Sequence, residues 1–167
     1  IASILIPLPD KRGSIFGLIR FLGKVDPAKE LISDAIQERL ARFKDTLEGD
    51  VHIARRFEQL LQALNEDIAH IVSEQKILSL SDIHVVIGVI HGSQVFTSGV
   101  GNLSALFMHR TAQQRYVIYE LSDQFADNEE RSWNKLFATV LDGELHPGDI
   151  FYVATRVSAR EITLAEL

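Results

Sequence analysis

The chain has 167 residues, 46% of them hydrophobic and 24% charged, with a formal net charge of −6. That is the composition of one globular unit, long enough to bury roughly 70% of its extended-chain surface. Its negative field repels phosphate backbones and argues against nucleic acid as a partner, while the absence of cysteine excludes a disulfide framework, a thiolate nucleophile and a Cys-based zinc site, and fits a reducing, cytoplasmic compartment.

Ala2 to Leu8 is an apolar, β-branched run stopped by Pro7, Pro9 and the Asp10-Lys11-Arg12-Gly13 cluster, which predicts a short buried strand and then a loop. The chain opens at Ile1 inside that run, with neither the basic start nor the cleavage site of a signal peptide, so a piece of a longer protein is expected. The next segment mixes Lys11, Arg12, Arg20 and Lys24 with Ile15, Phe16, Leu18, Ile19, Phe21 and Leu22. A short helix covering the sheet edge is the plainer reading; an amphipathic element for a partner or an anionic surface is the other.

Asp26, Pro27 and Glu30 make a helix start, followed at helical spacing by Leu31, Ile32, Ala35, Ile36, Leu40 and Phe43, with an end near Glu48-Gly49. A second helix is predicted over about Val51 to Glu74, with a stripe of Ile53, Phe57, Leu60, Leu61, Leu64, Ile68, Ile71 and Val72. Short β-type runs then occupy His84–His91, Gln94–Ser98, Leu103–His109, Arg115–Leu121 and Ile150–Thr155. Gly92-Ser93 between the first two is a hairpin signal, and an antiparallel meander is expected. A helix around Ser132 to Leu141 and a turn at His146-Pro147-Gly148-Asp149 come before the last strand. The whole reads as a single α+β domain over residues 1–167: a mainly antiparallel sheet packed by two long helices. Apolar runs such as Val85 to Ile90 are far shorter than the roughly 20 residues of a membrane span. No membrane span is expected in this segment, although the parent chain could be anchored.

The order and texture of the second half resemble the metal-dependent Ser/Thr protein phosphatases of the PPM type. Leu60 to Ile68 resembles a helix of that family, Val85 to Phe107, with Gly101-Asn102, resembles its central hairpin, and Leu141 to Thr155, with Gly148-Asp149, resembles its late strand. The resemblance implies a layered fold and a phosphatase scaffold whose acids hold paired Mg²⁺ or Mn²⁺ ions, because such hard cations need carboxylate oxygens. The motif-equivalent positions are Gly101, Asn102, Gly148, Asp149, Thr155 and Arg156. Asn102 stands where the family's hairpin carries Asp, and Arg156 and Val157 where its late strand carries the metal-holding Asp and a Gly. At the start, Ile6-Pro7-Leu8-Pro9-Asp10 stands where a D-G-x-G-G motif is expected. A fixed guanidinium at a metal position repels a divalent ion. The expectation is therefore a catalytically inactive, pseudophosphatase-like module, with no catalytic residues and no metal, that binds a protein partner or the rest of its own chain. The alternative is a divergent active phosphatase that recruits Asp10, Asp142 or Asp149 and needs Mg²⁺ or Mn²⁺, although Asp149 reads as the cap of its own turn.

Other constellations carry less. Gly99-x-Gly101-x-x-Ser104, with Glu120 further on, is a partial dinucleotide fingerprint that would make this a nucleotide-binding module; glycines at a tight strand connection are the plainer account. His84, His91 and His109 could fall in one sheet, yet His84 and His91 are an odd number of residues apart and face opposite sides of a strand. No G-x-S-x-G elbow accompanies Thr97-Ser98-Gly99. The acidic loop of Asp123, Asp127, Glu129 and Glu130 lacks the glycine and terminal Glu of an EF-hand, and Trp133 reads as a packing residue.

Overall fold

The structure is a computed structural model that describes residues 1–10, 12–24, 26–47, 52–75, 79–126 and 132–155. Its elements are β1 (Ala2–Pro7), β2 (Gly13–Phe21), α1 (Pro27–Asp45), α2 (Ile53–Gln75), β3 (Ile83–His91), β4 (Gln94–Val100), β5 (Ser104–Arg110), β6 (Tyr116–Glu120), α3 (Ser122–Ala126), β7 (Leu141–Glu144) and β8 (Ile150–Ala154). The strands form two sheets, one ordered β1-β2-β3-β4-β7 and the other β6-β5-β8, with antiparallel pairing throughout. The fold is α+β, with antiparallel sheets flanked by two long helices, in the layered architecture of the PPM type.

The helices form as their sequence dictates. The Asp26 side chain accepts the Ala28 N–H at 2.8 Å, Pro27 supplies the first helical residue, and Ala28, Ile32, Ile36, Leu40 and Phe43 turn one face inward. In α2, Phe57, Leu61, Leu64 and Ile68 are the matching stripe. Phe43 meets Phe57 with ring centroids 6.3 Å apart, and Arg39 pairs with Asp67 through two N–H donors. Both helices cover one face of the five-stranded sheet, against Ile15, Ile19, Ile83, Val85, Ile87 and Val89. Between the two sheets lies a smaller core of Val86, Leu103, Ala105 and Phe125, joined by Phe16, Leu18, Phe151 and Val153.

Four expectations are corrected, that of a buried first strand among them. The segment after Asp10 is not a helix at the sheet edge but β2, an interior strand between β1 and β3. Ile15 and Ile19 face the helices while Phe16 and Leu18 face the second sheet, so both faces are apolar and the polar alternation of a one-sided strand is missing. That places β1 at the edge, where it is only half-buried, with Leu5 72% exposed. The helix expected over Ser132 to Leu141 is a single 3-10 turn, Trp133–Lys135, followed by β7, which pairs with β4. Asn65 of α2 accepts the Phe137 N–H at 3.0 Å, and the Ser98 hydroxyl donates to the Thr139 carbonyl at 2.6 Å, so tertiary bonds hold this stretch against the core. Trp133 packs against the helical core, as a structural residue would. The meander holds for β3-β4 and β5-β6 but breaks at Gly101-Asn102, where the chain crosses from one sheet to the other. No helix among the described residues is long and apolar enough to cross a membrane.

Candidate functional site

Strand register sorts the motif-equivalent residues into two groups. Arg20 lies opposite His84 across β2 and β3, Val100 opposite Val85, and Ala154 opposite Ser104. Gly101, Asn102 and Thr155, each one or two residues beyond these pairs, therefore gather at one end of the sheets together with Arg20 and His84. Gly148 and Asp149 lie at the other end of β8, beside Arg110.

At the first end the glycine is required by space and by conformation. Gly101 has φ +79°, and a Cβ there would come within 2.3 Å of His84 Nδ1 and 2.6 Å of the Ile83 carbonyl oxygen. The turn this permits aims the Asn102 N–H at His84 Nδ1, 2.6 Å away. His84 is therefore neutral, with its proton on Nε2, a buried atom that meets no acceptor among the described residues. Burial, with Arg20 close by, holds the His84 ring below its ordinary pKa, against the opposing pull of Asp82.

Cations occupy this end. Arg20 donates to the Thr155 carbonyl at 3.4 Å. The Lys29 ammonium, on a side chain buried by the helix start, donates to the Leu22 carbonyl and, at 2.9 Å, to the Lys24 carbonyl. These two carbonyls belong to the turn from β2 into α1, so an ammonium organises that turn from inside. Arg156 and Val157 lie outside the described residues.

The three acids available to an active alternative are not brought together. Asp10 bonds to the His91 ring at 3.1 Å and to the Arg12 N–H, at the end of β3 opposite His84, roughly 23 Å away at strand rise. The Arg12 N–H comes first among the groups that hold its carboxyl below the usual range, with His91 adding to it. Asp142 sits on the edge strand β7, opposite Phe96. Asp149 does cap its turn, as the sequence suggests, by accepting the His146 N–H at 2.8 Å. It also accepts the Arg110 N–H at 2.8 Å and meets His109 Nδ1 at 3.0 Å. Its carboxylate is shielded from solvent; burial works to raise its pKa, but the two N–H donors and His109 outweigh it and hold the group low.

The remaining candidates resolve to packing or fall apart. Gly99 lies within β4, where a Cβ would press on the Phe125 ring and the Val85 carbonyl, and Ser104 opens the strand β5. No helix N-terminus follows the glycines, so the dinucleotide fingerprint is not realised. His84 and His91 lie on β3 and His109 on β5 in the other sheet, so the three do not converge. Asp123 is in α3, while Asp127, Glu129, Glu130 and Lys11 lie outside the described residues. Sequence reasoning missed His146: its partnership with His109 joins residues from different hairpins, and only the pairing of β5 with β8 brings them side by side.

A likeness to a known protein is found in three dimensions. A serine/threonine phosphatase of Mycobacterium tuberculosis, PstP/Ppp, superposes with a TM-score of 0.57 at 15% identity, over 95% of this chain and 75% of that one. The two share a fold. No protein-family model and no curated protein matches the sequence. At this identity the likeness extends to architecture, and the chemistry of the chain has to be read from its own side chains.

Proposed function

We propose that this chain is a catalytically inactive, phosphatase-like module that keeps the scaffold, has given up its metals, and serves as a regulatory or protein-interaction unit, engaging a protein partner or the rest of its own chain. The observation that carries the reading is the charge at the Asn102–Thr155 end of the sheets. Where the family resemblance calls for carboxylates, the sequence has Asn102 and Arg156. The described neighbourhood adds the Arg20 guanidinium on the Thr155 carbonyl and the Lys29 ammonium on the Leu22 and Lys24 carbonyls. Fixed cations disfavour divalent ions by direct repulsion.

Metal linkage tests this reading. An ion bound to the folded state alone raises the unfolding midpoint with concentration. The midpoint is expected to be the same in EDTA and in millimolar Mg²⁺, an ion that seeks oxygen ligands. A saturable rise in midpoint with Mg²⁺ would overturn the metal-free reading and restore the active alternative, with its carboxylates to be found elsewhere.

A further inference from the structure

We propose a second, unrelated site at the far end of the three-stranded sheet: His109, His146 and Asp149 form a three-ligand centre for a late first-row divalent ion such as Zn²⁺. His109 is the last residue but one of β5, and His146 and Asp149 flank the turn into β8. One ligand atom from each of the three lies within 4.8 Å of the other two. His109 Nδ1 is 3.0 Å from one carboxylate oxygen of Asp149, and His146 Nδ1 is 3.7 Å from the other. A tetrahedral ion with bonds of about 2.0–2.2 Å separates its ligands by roughly 3.3–3.6 Å, so the exposed His146 ring has to turn to bring its nitrogen to the oxygen that His109 already meets.

The carboxylate is already oriented. The Arg110 N–H fixes one oxygen and the His146 N–H the other, both at 2.8 Å, and this is the outer support that metal carboxylates commonly have. Of its roughly four lone-pair directions these bonds take two, and the His109 contact lies where an ion would replace the ring proton. A turn cap needs Asp149 alone. It does not require two imidazoles, set edge to face with centroids 5.7 Å apart, to converge on the same carboxylate.

Two nitrogens and one oxygen select zinc-like ions over Mg²⁺ or Ca²⁺, which prefer all-oxygen shells. His146 is 61% exposed at its side chain, so the ring is free to turn and the fourth position opens to solvent. Working against the ion is Arg110, whose side chain lies against Gly148, while the Tyr116 hydroxyl donates to the Gly148 carbonyl and stiffens the same turn. Occupied, the centre would clamp the β7–β8 turn to the end of β5. It does not depend on the inactive-phosphatase reading, since it lies away from Asn102 and Thr155.

Calorimetric titration of the whole chain with Zn²⁺, and with Co²⁺ followed by its visible absorption, tests the site. One ion per chain is expected, with the absorption of a four-coordinate cobalt centre. His146→Gln, on an exposed ring, is expected to weaken binding at least about tenfold, and His70→Gln, which alters the exposed His70–Glu74 pair on α2, to leave it unchanged. Absence of saturable one-to-one binding, or equal affinity in His146→Gln, would overturn the proposal, as would loss of binding in His70→Gln.

Discussion

Replacing Gly101 by alanine asks whether the crossing between the sheets is built as tightly as its geometry implies. Gly101 has φ +79°, and a Cβ there would meet His84 Nδ1 at 2.3 Å, the Ile83 carbonyl oxygen at 2.6 Å and His84 Cα at 2.9 Å. Gly92, in the β3–β4 hairpin, has φ +62° and nothing within 4 Å of an added Cβ. Left-handed backbone costs a residue with a Cβ about 1–2 kcal/mol, and that is the whole expected loss for Gly92→Ala. At Gly101 the clash with backbone and a buried ring adds about 1–3 kcal/mol, for a total of about 2–5 kcal/mol. Urea unfolding of both variants measures the difference, and in a chain of this size each kcal/mol lowers the thermal midpoint by about 2–4 °C. Equal losses in the two variants would refute the close approach of Gly101 to His84, and with it the neutral histidine that receives the Asn102 N–H.

Two further outcomes follow from the same end of the molecule. Because burial and Arg20 lower the pKa of His84 in the folded state, its contribution is fully present above the unfolded value of about 6.5 and is lost as pH falls below it. Urea midpoints should drop between pH 7 and pH 5 in the wild type and less steeply in His84→Gln; identical slopes would count against a buried neutral ring. Lys29→Met keeps the apolar stem but removes the donor to the Leu22 and Lys24 carbonyls. A loss of about 1.5–3 kcal/mol is expected from such charged bonds, and an unchanged urea midpoint would mean that the ammonium does not organise the turn.

Much of the fold could be read in the sequence wherever one local signal sufficed. The α1 start needed only Asp26 and Pro27, the β3–β4 hairpin only Gly92-Ser93, and the Asp149 cap only its turn. What escaped depended on neighbours distant along the chain. β2 is covered on both faces, so its apolar residues show no strand period, and its basic residues lie near its ends. β7 is four residues long, contains Asp142 and Gly143, and is a strand because β4 offers it an edge. The correction at β2 also moves the approach to the first helix. The segment around Asp10, which stands where the family resemblance leads one to expect a metal motif, lies at the opposite end of the sheet from Asn102, and the strand that leads into α1 ends instead at Phe21. At the candidate site, Asn102 was visible as a departure from the family pattern. The cations Arg20 and Lys29 were not, because their partners are main-chain carbonyls, which no residue type announces.

The most direct test of the central claim is hydrolysis of p-nitrophenyl phosphate and of a phosphothreonine peptide by the purified chain, in EDTA and in millimolar Mg²⁺ or Mn²⁺. The account predicts no turnover above the buffer rate in any condition. Turnover that requires Mn²⁺ or Mg²⁺ and is abolished by EDTA would contradict it and identify the chain as a working phosphatase.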